Sequence, residues 1–462
     1  MTQFWLNGQA RDIPDTPCLL LDYLRAQQLT GNKGPCREGD CGACQVLVCD
    51  DPQQQPASFR AQTACLLRLQ DLAGQHVLTI EGLQQDGNGN KIAVPDRHLN
   101  LLQQLLADAG ASQCGFCSPG LVIGCVNWLL NGPQLTLAEG ENWLNGNLCR
   151  CTGYMGQRRA LQQMTNTLGE TLRRSRNRLQ TLVDEGIVPG YILPDYILHR
   201  HSAHTLAVTP ENTGNGESPT TATALPSGSA AHTHTGAPCM VIGGGTDLYL
   251  QQPLATLPAG NQLARSHDAV IRQSRTGLFL NARQPLQTIA AALAQKQLLP
   301  AFARFNQLFA SLPIRNRATL GGNLAHASPV ADSIPFLLVL NATLHTSQRV
   351  IPVQDFFTGF KQTALQAGEV IEWIQLPADT NNAIIHFDKV SRRGTTDIAT
   401  VNCAGCWHVQ QQTIVDVRLA MGGASPMPVR LSALEDALRG SDLEKLRAED
   451  FKSRLPELFQ QH

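Results

Sequence analysis

Between residues 31 and 44 the chain reads Gly-Asn-Lys-Gly-Pro-Cys-Arg-Glu-Gly-Asp-Cys-Gly-Ala-Cys, and the apolar run Gln45–Cys49 follows. Few stretches restrict a fold more. Cys36, Cys41 and Cys44 stand at the spacing C-x4-C-x2-C, the plant-type [2Fe–2S] spacing, which needs one further thiolate downstream. Cys65 is the natural fourth. A loop wrapped round a cluster must turn through conformations closed to residues with a β-carbon, and its N–H groups must approach the inorganic sulfurs. Gly31, Gly34, Gly39 and Gly42 give that freedom. A zinc knuckle and disulfides are the competing readings. Zinc usually takes two separated pairs, whereas this is a packed triplet in a glycine loop.

Composition limits the setting. A chain of 462 residues is too long for one ordinary domain; about three or four are expected. The net charge of −1 offers no field for nucleic acid or anionic lipid. No run of ~18 apolar residues is present, so no membrane span is expected. The opening Met-Thr-Gln-Phe-Trp-Leu-Asn-Gly lacks the basic and apolar parts of a signal peptide. Fourteen cysteines without a secretion signal imply a reducing compartment, where cysteine more often means metal or redox chemistry. A cytoplasmic location is the expectation.

Taken in order, Asn7-Gly8 after Phe4-Trp5-Leu6 signals a hairpin. Thr16-Pro17 predicts a helix through Leu19, Leu20, Tyr23 and Leu24, with Thr16 as N-cap. The cysteine loop, the strand Gln45–Val48 and a closing strand over His76–Ile80 follow. From residue 98 the period turns helical, with Leu99, Leu101, Leu102, Leu105 and Leu106 on one face. Gln-Cys-Gly-Phe-Cys-Ser-Pro-Gly-Leu at 113–121 places Cys114 and Cys117 before a helix capped by Ser118 and opened by Pro119. Thr136 and Glu139 form a capping-box pattern. Asn-Leu-Cys-Arg-Cys-Thr-Gly-Tyr at 147–154 then carries Cys149 and Cys151. This second set, C-x2-C and C-x-C, lies at helix ends, where partial positive charge and free N–H groups suit an anionic cluster. Zinc is its rival on the residues alone.

A plant-type cysteine loop followed by a helical segment with these two motifs resembles the iron–sulfur part of the molybdenum hydroxylases. The likeness covers residues 1 to about 160, and all eight cysteines find a counterpart. Beyond it, residues 155–185 read as a polar helical linker with Arg173, Arg174, Arg176 and Arg178 in solvent. The Thr-, Ser-, Gly- and Pro-rich stretch 209–237 reads as a mobile loop. His199, His201, His204, His232 and His234, in or beside it, read as surface histidines.

Cys239-Met-Val-Ile-Gly-Gly-Gly-Thr-Asp-Leu predicts a buried strand running into three glycines. The pattern is not G-x-G-x-x-G and lacks a βαβ context, which excludes a Rossmann site. Close approach of backbone to a pyrophosphate is still open to it. A second glycine stretch at 317–335, Arg-Ala-Thr-Leu-Gly-Gly-Asn-Leu-Ala-His-Ala-Ser-Pro-Val-Ala-Asp-Ser-Ile-Pro, can converge on the same dinucleotide. The pair resembles the FAD-binding domain of the same hydroxylases. That resemblance implies that Val241, Ile242, Gly243, Gly244, Gly245, Thr246, Asp247 and Leu248 line the pyrophosphate and ribityl chain. It places Thr319, Gly322, Asn323 and Asp332 on the other side of the phosphates and the adenosine, Phe309 against the flavin ring and Ile371 near the cofactor. Phe387-Asp-Lys-Val-Ser-Arg-Arg-Gly-Thr-Thr-Asp-Ile-Ala resembles the family's segment beside the flavin. Lys389 matches its lysine but stands one position nearer the Ser-Arg-Arg triplet, with Asp388 in the vertebrate lysine's place. Arg392 and Arg393 read either as surface charge or as neighbours of the flavin. Cys403 and Cys406 lie i, i+3 on a strand and cannot jointly chelate; with Cys18, Cys49, Cys125 and Cys239 they read as core cysteines.

The expected architecture is multi-domain α+β. A β-grasp ferredoxin-like domain spans 1–80, a helical-bundle [2Fe–2S] domain 81–160 and a linker 161–190. A two-part α+β FAD-binding domain of the vanillyl-alcohol-oxidase-like type spans 191–345, and a C-terminal α/β flavoprotein domain 346–462. The resemblance implies an oxidoreductase part with two [2Fe–2S] clusters and FAD, and with NAD+ as acceptor. No molybdopterin domain follows, so a large molybdopterin-binding partner subunit is expected, in a heterotetramer of two small and two large chains. The implied substrate is a purine; an aldehyde or aromatic hydroxylase, or a stand-alone iron–sulfur flavoprotein reductase, is the alternative. No residue of the chain is expected to be a general acid, base or nucleophile.

Overall fold

The turn at Asn7-Gly8 starts the first sheet. Both residues hold positive φ, 51° and 80°, as a two-residue hairpin of the right twist demands. β1 (Gln3–Leu6) folds back on β2 (Gln9–Asp12) with Leu6 opposite Gln9. This computed structural model describes residues 2–50, 58–85, 99–193, 240–257, 262–263, 266, 268–444, 446 and 453. β3 (Gln45–Cys49), β4 (Phe59–Thr63) and β5 (His76–Leu78) complete a five-stranded sheet in the order β2-β1-β5-β3-β4. β5 runs parallel to β1 and antiparallel to β3, the β-grasp arrangement. Val46, Val48 and Val77 pack with Leu20, Leu21 and Leu24 of α1 (Leu20–Ala26). Leu47, Cys49, Phe59 and Leu78 pack into the helical domain instead. A strand buried on both faces loses its polar alternation, which is why Val46–Cys49 reads as an unbroken apolar run. α1 opens later than Thr16-Pro17 suggests. Leu19 is bridged to Arg68, and the Cys18 carbonyl accepts from Leu69 N–H at 2.9 Å. That pairing holds the segment extended, so Leu19, not Thr16, is the N-cap.

Helices α2 (Leu101–Asp108), α3 (Ser118–Asn131), α4 (Leu137–Trp143), α5 (Met155–Arg174) and α6 (Arg178–Asp184) build the next domain around Trp128. Asn100 and Gln103 form a full capping box on α2. Thr136 caps α4 through Glu139 N–H, but the Glu139 carboxylate turns to Leu135 N–H at 2.6 Å rather than to the cap. Cys117, not Ser118, is the N-cap of α3. Ser118 N–H already closes a turn on the Gly115 carbonyl at 3.3 Å, with Gly115 at φ +79°. Arg178 donates to the Gly132 carbonyl, so it ties the linker to α3 rather than standing in solvent.

In the second half of the chain, strands 350–352, 343–346, 371–377, 277–281 and 271–274 form an antiparallel sheet in that spatial order. It draws strands from both sides of residue 345. Ile384–Val390, Val401–Gln410, Thr413–Gly422 and Val429–Arg430 form a second antiparallel sheet. Helix Ser333–Val339, buried along its whole length, packs on this second sheet. Phe305 stacks on Phe336 at 4.6 Å and meets Phe387 edge-on, joining the helices to the second sheet. Val241–Ile242 is only a two-residue strand with Val241 exposed, less than the buried strand expected. Cys406 is buried but Cys403, on the opposite face, is exposed and Cys18 is half-buried; neither is a core cysteine. Cys239, the five histidines at 199–234 and the stretch 209–237 lie outside the described residues. Among the described residues no helix is long and apolar enough to cross a membrane.

Candidate cofactor sites: two thiol cages and a glycine cleft

The first cage is set by backbone. Gly39 and Gly42 turn the loop at φ +76° and +69°, conformations that cost a β-carbon residue dearly. Ala64 N–H donates to the Cys44 carbonyl at 3.1 Å, which brings Cys65, in the short turn after β4, against Cys44. The thiols fall into pairs. Cys36 and Cys41 sulfurs lie 3.2 Å apart, and Cys44 is hydrogen-bonded to Cys65. A tetrahedral metal with thiolate bonds of ~2.3 Å separates two thiolates by roughly 3.8 Å, so each pair suits one iron of a binuclear cluster. Structural zinc would instead draw four ligands to one centre. Sharing a proton with Cys41 pulls the Cys36 thiol down to about 5. The bond from Cys65 lowers Cys44 in the same way, against its burial. Thiolate is the ligand form.

The second cage repeats the pairing. Cys151 and Cys114 sulfurs lie 3.6 Å apart, and Cys117 is hydrogen-bonded to Cys149. Cys117 sits at the N-cap of α3, and burial pushes its thiol up to about 12. The Cys149 thiol stays below its usual range: burial acts upward, but bonds from Thr152 prevail. Cys149 N–H donates to the Tyr154 hydroxyl at 3.2 Å, fixing the turn before α5. Cys114 and Cys151 are exposed, whereas Cys44 and Cys65 of the first cage are buried. The cages abut: Leu148 N–H, one residue from Cys149, donates to the Cys41 carbonyl at 3.0 Å.

The two glycine stretches meet backbone to backbone. A Cβ on Gly243 would stand 2.9 Å from Gly322 Cα and 2.7 Å from Thr319 Oγ1, and one on Gly244 2.2 Å from the Arg317 carbonyl. Gly322 N–H donates to Thr319 Oγ1 at 3.0 Å at the start of helix Leu320–His326. Val241, Gly243, Thr319, Gly322 and Ile371 line one cleft, together with Arg283 and Glu369, which no sequence pattern indicated. Glycine on both sides is what lets the two backbones touch, and the cleft beside that contact presents main chain of the kind a pyrophosphate approaches. Gly245 turns the loop at φ +71°, Thr246 and Leu248 are half-buried, and Ile242 is buried behind them. Asp247 pairs with His326 at 2.9 Å, and Asn323 accepts from Ser333. Asp332 and Lys389 form a separate group, and the Phe309 ring packs on Phe305 at 5.8 Å. Lys389 Nζ, fully enclosed, donates to the Leu308 carbonyl, to Asp332 at 3.0 Å and to the Thr395 carbonyl at 3.3 Å. Arg393 bridges Asp397 and, at 2.8 Å, Asp40 of the first cysteine loop. Asp40 adjoins Cys41 in sequence, the one hint of such a contact.

Four family models match the chain in order. They are a 2Fe-2S iron-sulfur cluster binding domain over 5–70, a [2Fe-2S] binding domain over 79–162, the FAD binding domain in molybdopterin dehydrogenase over 226–379 and the CO dehydrogenase flavoprotein C-terminal domain over 386–460. A xanthine dehydrogenase of Emericella nidulans is 29% identical over 490 aligned positions, which cover 95% of this chain and 35% of that one. A xanthine dehydrogenase of Drosophila subobscura is 30% identical over 479, covering 92% and 34%. The chain thus spans about a third of the length of these relatives. A solved carbon monoxide dehydrogenase of Hydrogenophaga pseudoflava overlays 45% of this chain and 74% of its own at 25% identity, with a TM-score of 0.41.

Proposed function

We infer an electron-transfer role from one premise: the chain belongs to the molybdenum hydroxylase family, as its iron–sulfur and flavin-bearing part. The reading is that electrons enter from a molybdopterin centre outside these residues, cross both cages, reach the flavin cleft and leave to NAD+. When bound, the clusters carry electrons singly and FAD gathers them in pairs and releases hydride. Cys36, Cys41, Cys44 and Cys65 hold one cluster, and Cys114, Cys117, Cys149 and Cys151 the other. Val241–Leu248, Thr319, Gly322, Asn323 and Asp332 hold the dinucleotide; Phe309 and Ile371 stand by its ring. Lys389 acts through Asp332, since its donors are committed there and to two carbonyls.

The observation that carries this reading is a gradient of exposure. The second cage opens to the surface beside Phe116, Tyr154 and Met155, three large side chains left 47%, 46% and 57% exposed. Such an apolar rim suits a protein partner, here the large molybdenum-bearing subunit, in the heterotetramer of two small and two large chains. The first cage is half-buried at Cys36 and Cys41 and buried at Cys44 and Cys65, and its loop is tied to the flavin half through Asp40 and Arg393. The names borne by the relatives favour xanthine dehydrogenase, oxidising hypoxanthine and xanthine to urate in the cytoplasm.

Reverse flow tests the route without the partner. NADH should bleach the flavin and then both clusters of the purified chain. Cys149→Ser should leave flavin and one cluster reducible. Reduction by dithionite alone, with NADH inert, would remove NAD+ from the account. Co-purification with a molybdenum-containing chain that hydroxylates aldehydes but not purines would replace the substrate.

A further inference from the structure

Asp71 lies in the ferredoxin-like domain, in the short turn Leu69–Leu72, and neither cage nor cleft uses it. Its carboxylate is fully enclosed. Arg68 donates to Oδ1 through Nε at 2.9 Å and Nη2 at 2.6 Å. Arg317 Nη2 and the Tyr249 hydroxyl both donate to Oδ2, each at 2.6 Å. Arg68 is a local neighbour, but Arg317 and Tyr249 come from the flavin half.

Both of these distant donors grip the glycine loop. Arg317 Nε donates to the Gly244 carbonyl at 2.6 Å. Its own carbonyl lies 2.2 Å from where a Cβ on Gly244 would stand, so Gly244 is held from two sides. Tyr249 N–H donates to the Gly245 carbonyl at 3.0 Å, and its ring sits 2.4 Å from a Cβ position on Gly245, the residue at φ +71°. A guanidinium held by a carboxylate at one end keeps its other N–H in a fixed direction. Without that carboxylate a nearly buried Arg317 would turn toward water and release Gly244.

We propose that Asp71 is a positioning residue for FAD: from the ferredoxin-like domain, through Arg317 and Tyr249, it holds Gly243–Gly245 in the shape that accepts the pyrophosphate. Flavin capture then requires the first cage to be docked, so an electron relay always stands beside a bound flavin. This rests on the reading of Gly243–Gly245 as the phosphate loop.

The test is FAD affinity of the full chain freed of flavin, read by quenching of flavin fluorescence, with the first-cluster EPR signal reporting that the ferredoxin-like domain is folded. Asp71→Asn and Arg317→Met should each weaken FAD roughly tenfold or more with that signal intact. The double variant should be no worse than the weaker single, because the two act along one chain of bonds. Tyr249→Phe, which deletes only a hydroxyl, should weaken FAD about two- to fivefold. Gly243→Val tests the underlying reading: if it binds FAD normally, the phosphate loop is misassigned. If Gly243→Val releases FAD while the other three bind as wild type, the loop stands and the role of Asp71 falls. Additive losses in the double variant also overturn it. Should Asp71→Asn lose the first-cluster signal, Arg317→Met and Tyr249→Phe, both outside that domain, decide the matter by the same criteria.

Discussion

Lys389 shows how a single residue takes its meaning from its surroundings. Burial pushes the Asp332 carboxyl up, and Lys389 draws it part of the way back. Removing one partner of an enclosed ion pair leaves the other uncompensated, at a cost of about 3 kcal/mol or more. Lys389→Met should therefore lower the denaturation midpoint clearly, and Lys389→Met with Asp332→Asn should recover part of the loss; equal losses in both would show that the pair is not the reason. Asp247 gives a pH signature. Its burial acts upward, yet the bond to His326 holds its carboxyl below the usual carboxylate range. A depressed folded value stabilises above the unfolded value of 3.8 and is lost as pH falls through the folded one. Urea midpoints of wild type and His326→Phe should converge as pH falls through the folded carboxyl's range and separate as pH rises above 3.8. Part of this scale was legible: the cysteines picked out by spacing are the ones the fold brings into four thiol pairs. The partner of Lys389 was not, because Asp332 is far away in sequence and only the packed helix and strand bring them together.

At the scale of elements, two glycine contacts separate the cages. A Cβ on Gly120 of α3 would stand 2.0 Å from the Gly42 carbonyl in the first cysteine loop. One on Gly156 of α5 would stand 2.2 Å from the Gly110 carbonyl, in the segment leading to Cys114. Backbone cannot yield to a methyl without a shift, at roughly 1–3 kcal/mol. EPR of the two variants should differ: Gly120→Ala disturbs both cluster signals, Gly156→Ala the second alone. The same outcome in both variants would mean that the helices do not index the cages separately. Periodicity and turn residues foretold the hairpin, the helical domain and the strand that carries Cys403 and Cys406, but not its antiparallel neighbours. They misplaced the start of α1 and the cap of α3, because a bridge to Arg68 and a turn on Gly115 overrode local preference. The split of the flavin half into two sheets sharing a phenylalanine core depends on long-range pairing that no local pattern encodes.

Across the whole molecule, the parts are joined at their functional ends. Leu148 meets Cys41, Asp40 meets Arg393, and Asp71 meets Arg317. The first two contacts tie the loop of Cys36–Cys44 to the second cysteine set and to the C-terminal sheet, and the third ties the ferredoxin-like domain to the glycine stretch at 317. The order of motifs along the chain announced these parts but not their docking. Low-temperature EPR of the fully reduced chain, with iron and flavin analysis of the same sample, tests the central claim most directly. About four irons per flavin and two distinct signals, integrating to about two spins, are expected. A single signal, or zinc in place of half the iron, would contradict it.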